Sequence, residues 1–209
     1  MKNRKTLSVG VLILAVSVTM LALSMQVTPE QGVKPDATVL GTASDVTPLR
    51  FFSLGEFLPQ IQKADRNTGQ FPDRVSGGVI PHHTVAGENI ADFFRRLAKQ
   101  HPQTIVIMGP NHSEKGEYPV LTSLNGWETP SGIVQPDQIL LKKLLEERVA
   151  VIDTPVVSED QAIAAIMPYL HHYLPETRVV PLLVSNYLRE ADIRNLVTAL
   201  NNSATNDVV

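Results

Sequence analysis

Histidines at two points of the chain carry the strongest chemical signal in this sequence. One motif, Pro-His-His, ends at His83, and the other, Gly-Pro-Asn-His, ends at His112. Each follows a short apolar run, Gly77–Ile80 in the first case and Thr104–Met108 in the second. A loop histidine is often only a solvated polar residue, but imidazole is also the commonest protein ligand for borderline transition metals. The paired motifs therefore indicate a candidate metal site.

The elements around these motifs are expected to bring His82 and His112 together. Apolar runs without alternation are typical of strands buried in a parallel sheet. Between them, Ala86–Gln100 shows the spacing of an amphipathic helix. Strand, helix and strand predict a right-handed crossover in which the carboxyl ends of the two strands share one edge. Two imidazoles do not complete a metal site, so a third ligand is expected from elsewhere.

The remaining pattern predicts an α/β fold, with a mainly parallel central sheet flanked by helices on both faces. We predict further strands at Leu49–Leu54, Tyr118–Leu124, Val149–Asp153 and Arg178–Ser185. We predict further helices at Gly55–Asp65, Asp137–Arg148, Ser158–Tyr173 and Arg189–Leu200. The third of these begins with Ser158 as its N-cap and is expected to kink at Pro168.

Other aromatic and imidazole side chains have plainer interpretations. Trp127, the only tryptophan, lies in the turn-rich stretch 125–136. It either caps the core or lines a pocket, and we favour the first. His171 and His172 are predicted to be surface residues at the end of a helix, where the helix dipole favours a positive charge. His101, which follows a helix, receives the same interpretation.

The N-terminus has the pattern of a targeting segment rather than of a folded element. Lys2, Arg4 and Lys5 precede an uncharged, mostly apolar run. Residues 1–25 are predicted to be a signal peptide or a membrane anchor, and both alternatives stay open. Residues 26–47 are predicted to be a linker and 48–209 the α/β domain. The domain is therefore expected to be exported, either anchored to a membrane or released outside the cytoplasm.

Composition excludes several classes of function. The net charge of −3 provides no basic surface for nucleic acid. The chain has no cysteine, which excludes a disulfide, an iron–sulfur cluster or a thiolate zinc site within it. No Gly-x-Ser-x-Gly motif is present, which argues against an α/β-hydrolase.

Four motifs together resemble the MEMO family, and within it the bacterial group called AmmeMemoRadiSam system protein B. In chain order they are Pro-His, Gly-Pro-Asn-His, Trp-Glu-Thr-Pro-Ser-Gly and Ser-x-Asp-x-Ala-Ile-x-x-x-Met-Pro-Tyr. The resemblance covers residues 77–209. It implies an α/β fold related to class III extradiol dioxygenases, which use non-haem Fe(II).

The resemblance also implies roles for individual residues. It places His82 and His112 at the metal, which is expected to be divalent and most plausibly Fe(II). His83 stands where the family usually has a small residue and becomes a further donor and a catalytic candidate. Asp160 becomes a candidate acid–base residue. Asn111, within the second motif, becomes a ligand-binding candidate.

The chain departs from the family pattern in two places. Gln161 stands where the family usually carries histidine, and an amide can hold a ligand but cannot exchange a proton near neutral pH. The family's chain also continues past Val209 into a further strand, so this chain is expected to be incomplete at its C-terminus and to leave an unpaired sheet edge. For a chain without that strand, the absence of a bound metal stays open as an alternative. Two functions stay open. One is a metal-dependent oxidoreductase acting on a small molecule, and the other is a non-catalytic extracytoplasmic module that binds a metal or a protein partner.

Overall fold

The computed structural model describes residues 45–203 and 208–209. The predicted targeting segment, residues 1–25, and most of the predicted linker lie outside the described residues, so export stays a prediction. The strands are β1 (Val46–Thr47), β2 (Thr104–Pro110), β3 (Val120–Thr122), β4 (Gly126–Thr129), β5 (Gly132–Val134), β6 (Val151–Ile152) and β7 (Arg178–Val184). The α-helices are α1 (Leu54–Arg66), α2 (Gly87–Leu97), α3 (Gln138–Glu146), α4 (Thr154–Glu159), α5 (Gln161–Ala164), α6 (Met167–Tyr173) and α7 (Glu190–Ser203). Short 3-10 helices at Thr84–Ala86 and Ala98–Gln100 flank α2.

The strands form two mixed sheets. The larger has the order β2-β7-β3-β6, in which β2 and β7 run parallel over seven residues each, β3 runs antiparallel to β7, and β6 runs parallel to β3. The smaller has the order β1-β4-β5, with β1 parallel and β5 antiparallel to β4. The α/β class is confirmed, and the sheets are mixed rather than wholly parallel.

Alternating side chains of β2 and β7 place helices on both faces of the larger sheet. Ile105, Ile107 and Val179 pack with α1, α2, α4, α5 and α6 in one core cluster. Val180 and Leu182 pack with α3 and α7 in a second cluster. Successive residues of a strand point to opposite faces, so one pair of adjacent strands supplies both cores. The predicted layering is therefore confirmed.

The predicted strand Gly77–Ile80 is wrong. No strand lies between α1 and the 3-10 helix that begins at Thr84. Val79 is fully exposed, whereas a strand inside a parallel sheet is buried on both faces. The place beside β2 that the crossover would have assigned to this segment is partly taken by the chain end, because the backbones of Thr104 and Val208 form a parallel bridge.

The same bridge pairs part of a sheet edge, that of β2, whereas the sequence analysis expected an unpaired edge. The Val106 amide donates to the Val209 carbonyl at 2.8 Å, and the Val209 amide donates to the Thr104 carbonyl at 3.0 Å. The outer edge of β2 is therefore paired over its first three residues.

The predicted helix Ser158–Tyr173 is also wrong, because it is divided into three short helices. Asp153, not Ser158, is the N-cap of α4, and Asp160 ends α4 and caps α5. Pro168 lies in the first turn of α6, where proline is favoured because no intrahelical amide is lost there, so no kink arises.

The other expectations are met to differing degrees. The predicted helices Gly55–Asp65, Asp137–Arg148 and Arg189–Leu200 correspond to α1, α3 and α7. The predicted strand Leu49–Leu54 is absent, and β1 lies just before it, at the end of the predicted linker. Trp127 is 2% exposed and belongs to the larger core cluster, which confirms that it caps the core. None of the described helices is both long enough and apolar enough to cross a membrane.

The prediction that both histidines at the end of α6 lie on the surface is wrong for His171. Its side chain is 6% exposed, whereas His172 is exposed as predicted. Its Nδ1 atom lies 2.7 Å from Thr129 Oγ1 and 2.9 Å from Ser131 Oγ, so the ring ties α6 to the β4–β5 hairpin. Burial lowers the pKa of His171, while the charge of Glu176 acts weakly in the opposite direction.

We predict that His171 makes the folded chain less stable in acid. Because the pKa of His171 is lowered in the folded state, the unfolded chain binds the proton more readily. The stabilisation is complete above the unfolded pKa of about 6.5 and is lost as the pH falls from there towards the folded pKa. The free energy of unfolding, measured in urea at pH 7.5 and 5.5, should therefore depend less on pH in His171→Asn. The exposed His172→Asn variant is the control, and an equal pH dependence in both variants would contradict the prediction.

Candidate metal centre

The loop after β2 is held by Asn111. Its backbone amide donates to the Val184 carbonyl at 2.8 Å and extends the β2–β7 register by one residue. Its buried side-chain amide donates to the Lys115 carbonyl at 2.7 Å and to Ser185 Oγ at 3.2 Å. Asn111, predicted to bind a ligand, thus uses its side chain to fix the loop that begins with His112.

Asp160 fixes both the backbone and the ring of His112. Its carboxylate is 6% exposed and accepts the His112 backbone amide at 2.8 Å through Oδ2. Oδ1 accepts the His112 Nδ1–H at 2.7 Å and the Ala162 amide at 2.9 Å. A carboxylate cannot donate, so the imidazole proton lies on Nδ1 and the neutral ring presents the lone pair of Nε2. The same carboxylate therefore caps α5 and orients a metal-ligand candidate.

The segment that carries His82 and His83 is irregular but is fastened at both ends. At its start, the Gln100 side-chain amide donates to the Val75 carbonyl at 3.0 Å. At its end, the Gln60 side-chain amide donates to the Thr84 carbonyl at 2.7 Å. These contacts to α1 and to the 3-10 helix Ala98–Gln100 replace the strand pairing that the sequence pattern indicated.

The structure brings the three histidines together. The Nε2 atoms of His82 and His112 lie 3.2 Å apart. One nitrogen from each of His82, His83 and His112 lies within 4.8 Å of the others. His82 is half-buried, whereas His83 and His112 are exposed. His83, predicted as a catalytic residue, therefore lies in the same cluster as the two predicted metal ligands.

Electrostatics favour the neutral form of His82, which is the form that binds metals. Burial lowers the pKa of His82, and the neighbouring His83 and His112 lower it further, while Asp160 raises it. A metal competes with a proton for the same lone pair, so a lowered pKa leaves the ring free to coordinate near neutral pH.

The donor set fits a divalent transition metal. With metal–nitrogen bonds of about 2.0–2.1 Å, the observed 3.2 Å separation gives a nitrogen–metal–nitrogen angle of about 100°. This angle lies between those of octahedral and tetrahedral sites. The third donor, His83, is exposed and lies within 4.8 Å of the other two. Asp160 behind His112 forms the carboxylate–histidine pair that commonly supports bound metals.

A pocket of about 290 Å³ adjoins His112. Its walls are Phe51, His112, Ser113, Lys115, Val156, Glu159, Asp160 and Gln161. Gln161, predicted to bind a ligand, is half-buried at the first turn of α5 and lies in this wall.

Five wall residues were not identified from the sequence, namely Phe51, Ser113, Lys115, Val156 and Glu159. Lys115 lies three residues after His112, so a search for charged residues close to the second motif would have found it. Phe51 has no such signal, because it reaches the pocket from a distant part of the chain.

Three relatives, each named a MEMO1 family protein, share sequence with this chain. The protein of Sulfurisphaera tokodaii is 30% identical over 147 residues, which cover 64% of this chain and 49% of the relative. That of Pyrobaculum arsenaticum is 32% identical over 117 residues, with coverages of 54% and 41%. That of Aquifex aeolicus is 27% identical over 110 residues, with coverages of 51% and 40%. The chain spans about half the length of the relatives it matches.

The sequence pattern of the Memo-like protein family matches residues 54–206. The match includes the three clustered histidines, Asp160 and Gln161. Since it covers well over half of the chain, the chain belongs to the Memo-like protein family.

Proposed function

We propose that this chain binds a divalent transition metal ion through His82, His83 and His112. The observation that carries the proposal is the 3.2 Å separation of the His82 and His112 Nε2 atoms, with the His112 ring held by Asp160. The two contacts to Asp160 fix His112 before any ion arrives, so little side-chain ordering would oppose binding. Isothermal titration of the full chain with Fe(II) under anaerobic conditions tests the proposal, and it should detect one bound ion per chain.

The activity proposed for this site is that of a metal-dependent oxidoreductase related to the extradiol dioxygenases, with Fe(II) as the metal. A bound Fe(II) ion would supply Lewis-acid and oxygen-activating chemistry. The chain's own residues orient the ligands and shape the pocket: Asp160 keeps the His112 proton on Nδ1, and Gln161 offers an amide to a molecule beside His112. His83 is exposed, and it is the one of the three histidines that has an alternative role, as the acid–base group instead of a third metal ligand.

A second candidate is binding without turnover. The observation that favours it is Gln161, which lies in the pocket wall beside His112. Its amide provides a fixed donor and a fixed acceptor and cannot serve as a general acid or base. The exported location proposed from the N-terminal sequence would make such a module extracytoplasmic.

Oxygen uptake separates the two candidates. With Fe(II) and catechol, we expect the unmodified chain to consume oxygen slowly or not at all. Gln161→His should raise the rate several-fold, since a general acid or base contributes about 10²–10⁴-fold when it is well placed. Gln161→Asn, which keeps an amide, is the matched control. Rapid uptake by the unmodified chain would contradict binding without turnover and would make His83 or Asp160 the base.

A further inference from the structure

The pocket beside His112 carries a lysine and a glutamate that are not paired with each other. Lys115 and Glu159 both lie in its wall and are exposed. Among the described residues, neither belongs to an ion pair within 4.0 Å. A cation and an anion on one wall, too far apart to pair directly, leave room for a molecule that bears both opposite charges.

The Lys115 side of the pocket is built on a fixed loop. The Lys115 carbonyl accepts from the buried Asn111 side chain at 2.7 Å. The neighbouring Glu114 adopts a left-handed conformation (φ 49°), and its carboxylate accepts the Asn186 amide at 3.0 and 3.2 Å. The backbone that carries Lys115 is therefore anchored on both sides, unlike that of a lysine on a free surface loop.

Two other residues of the wall are apolar, and one of them has an unusual backbone conformation. Phe51 has φ 52°, a left-handed conformation that is uncommon for a bulky residue. The next residue, Phe52, packs on Phe57 with ring centroids 5.3 Å apart, so Phe52 points to the core while Phe51 stays 43% exposed beside the pocket. Together with Val156, Phe51 offers an apolar surface to a ligand.

We propose that this pocket binds a small zwitterion with an apolar side chain, in the manner of an aromatic α-amino acid. Its carboxylate would pair with Lys115, its ammonium with Glu159, and its side chain would pack on Phe51 and Val156. The pocket has a volume of about 290 Å³, and both pairs would be charge-assisted hydrogen bonds of about 2.7–2.9 Å. The proposal rests on the proposed function only in placing this molecule next to a metal on His112.

L-Phenylalanine and two analogues, each lacking one charge, test the proposal by calorimetry. Titrations use the full chain with a chelator present, so binding is measured without metal. We expect L-phenylalanine to bind up to about 5-fold more tightly than 3-phenylpropionate or phenethylamine, since each exposed charge pair contributes up to about 1 kcal/mol. Lys115→Gln should weaken the binding of L-phenylalanine about 5-fold and leave the affinity for phenethylamine unchanged. Glu159→Gln should weaken the binding of L-phenylalanine by a similar factor and should not weaken the binding of 3-phenylpropionate.

Lys142→Gln is the matched control, because Lys142 is an exposed lysine on α3, outside the pocket wall. It should leave all three affinities unchanged. Equal affinities for the three probes, or an unchanged affinity for L-phenylalanine in Lys115→Gln, would overturn the proposal. If metal binds but L-phenylalanine does not, the zwitterion site alone is refuted. If L-phenylalanine binds as expected and metal does not, the zwitterion site stands and the proposed metal function fails.

Discussion

Replacing Asp160 by alanine is expected to weaken metal binding and to destabilise the fold at the same time. The variant loses the cap of α5 and both contacts to His112. Losing the cap costs about 0.5–2 kcal/mol, and losing charge-assisted hydrogen bonds costs more, so we expect a loss of about 2–4 kcal/mol in the free energy of unfolding. Removing a carboxylate that orients a metal-bound histidine typically lowers metal affinity about 10–100-fold.

Asp153→Ala provides a matched control for that experiment. Asp153 caps α4 by accepting the Val156 amide at 3.3 Å, and none of its hydrogen bonds within the described residues goes to a histidine. It should lower stability through the lost cap and leave metal affinity unchanged. Urea denaturation and calorimetric titration measure the two properties separately. An Asp160→Ala variant that binds metal as tightly as the unmodified chain would show that Asp160 does not orient His112 for a metal.

Trp127→Ala is expected to have the largest effect on stability. Trp127 is 2% exposed, and its strand, β4, lies between β1 and β5 in the smaller sheet. Truncating a buried tryptophan to alanine leaves a cavity and typically costs about 3–5 kcal/mol. Trp127→Phe should cost less than about 1.5 kcal/mol, because it keeps most of the ring. Within residues 45–203 and 208–209, the buried Trp127 Nε1 has no hydrogen-bond partner, so no hydrogen bond to these residues is lost with the indole.

The measurement for both tryptophan variants is urea denaturation followed by far-ultraviolet circular dichroism, since the only tryptophan is removed. The unmodified chain is the reference at the same pH. Similar losses in the alanine and phenylalanine variants would show that the indole nitrogen, rather than the ring volume, determines stability at this position.

The helices could be predicted from the sequence better than the strands. Helical spacing of apolar residues identified α1, α3 and α7, because one face of each packs on a core cluster. A short apolar run carries no such directional signal. Gly77–Ile80 and Thr104–Met108 are alike in composition, yet only the second is a strand, because β7 pairs with it along its whole length. Such pairing depends on distant residues and cannot be read from a short run.

The structure brings the predicted histidines together, but by other contacts than the sequence indicated. His82 and His112 were expected to meet at the ends of adjacent strands. They meet because Gln60 and Gln100 fasten an irregular segment beside the β2 loop. These are side-chain contacts over long sequence distances, which no local pattern reveals.

For Asp160 and His171 as well, the sequence did not predict the contacts that other elements make with the side chain. Asp160 was expected to be an acid–base candidate within a long helix, and it is instead a helix cap whose carboxylate contacts His112. His171 was expected on the surface because it lies near the end of a helix, but the β4–β5 hairpin covers it. In both cases the sequence placed the residue near a helix end or within a helix, but it did not predict the contact with a residue of another element.

Metal titration of the full chain and of two variants, His82→Ala and His112→Ala, tests the central claim most directly. Calorimetry with Fe(II), and Co(II) absorption as a check on coordination, should show one ion bound per chain. Each variant should lose more affinity than the 10–100-fold or so expected for an orienting carboxylate, because each removes a ligand itself. His101→Asn, at the opposite end of β2, should bind as the unmodified chain does. Undetectable binding by the unmodified chain, or equal affinity in all four proteins, would contradict the account.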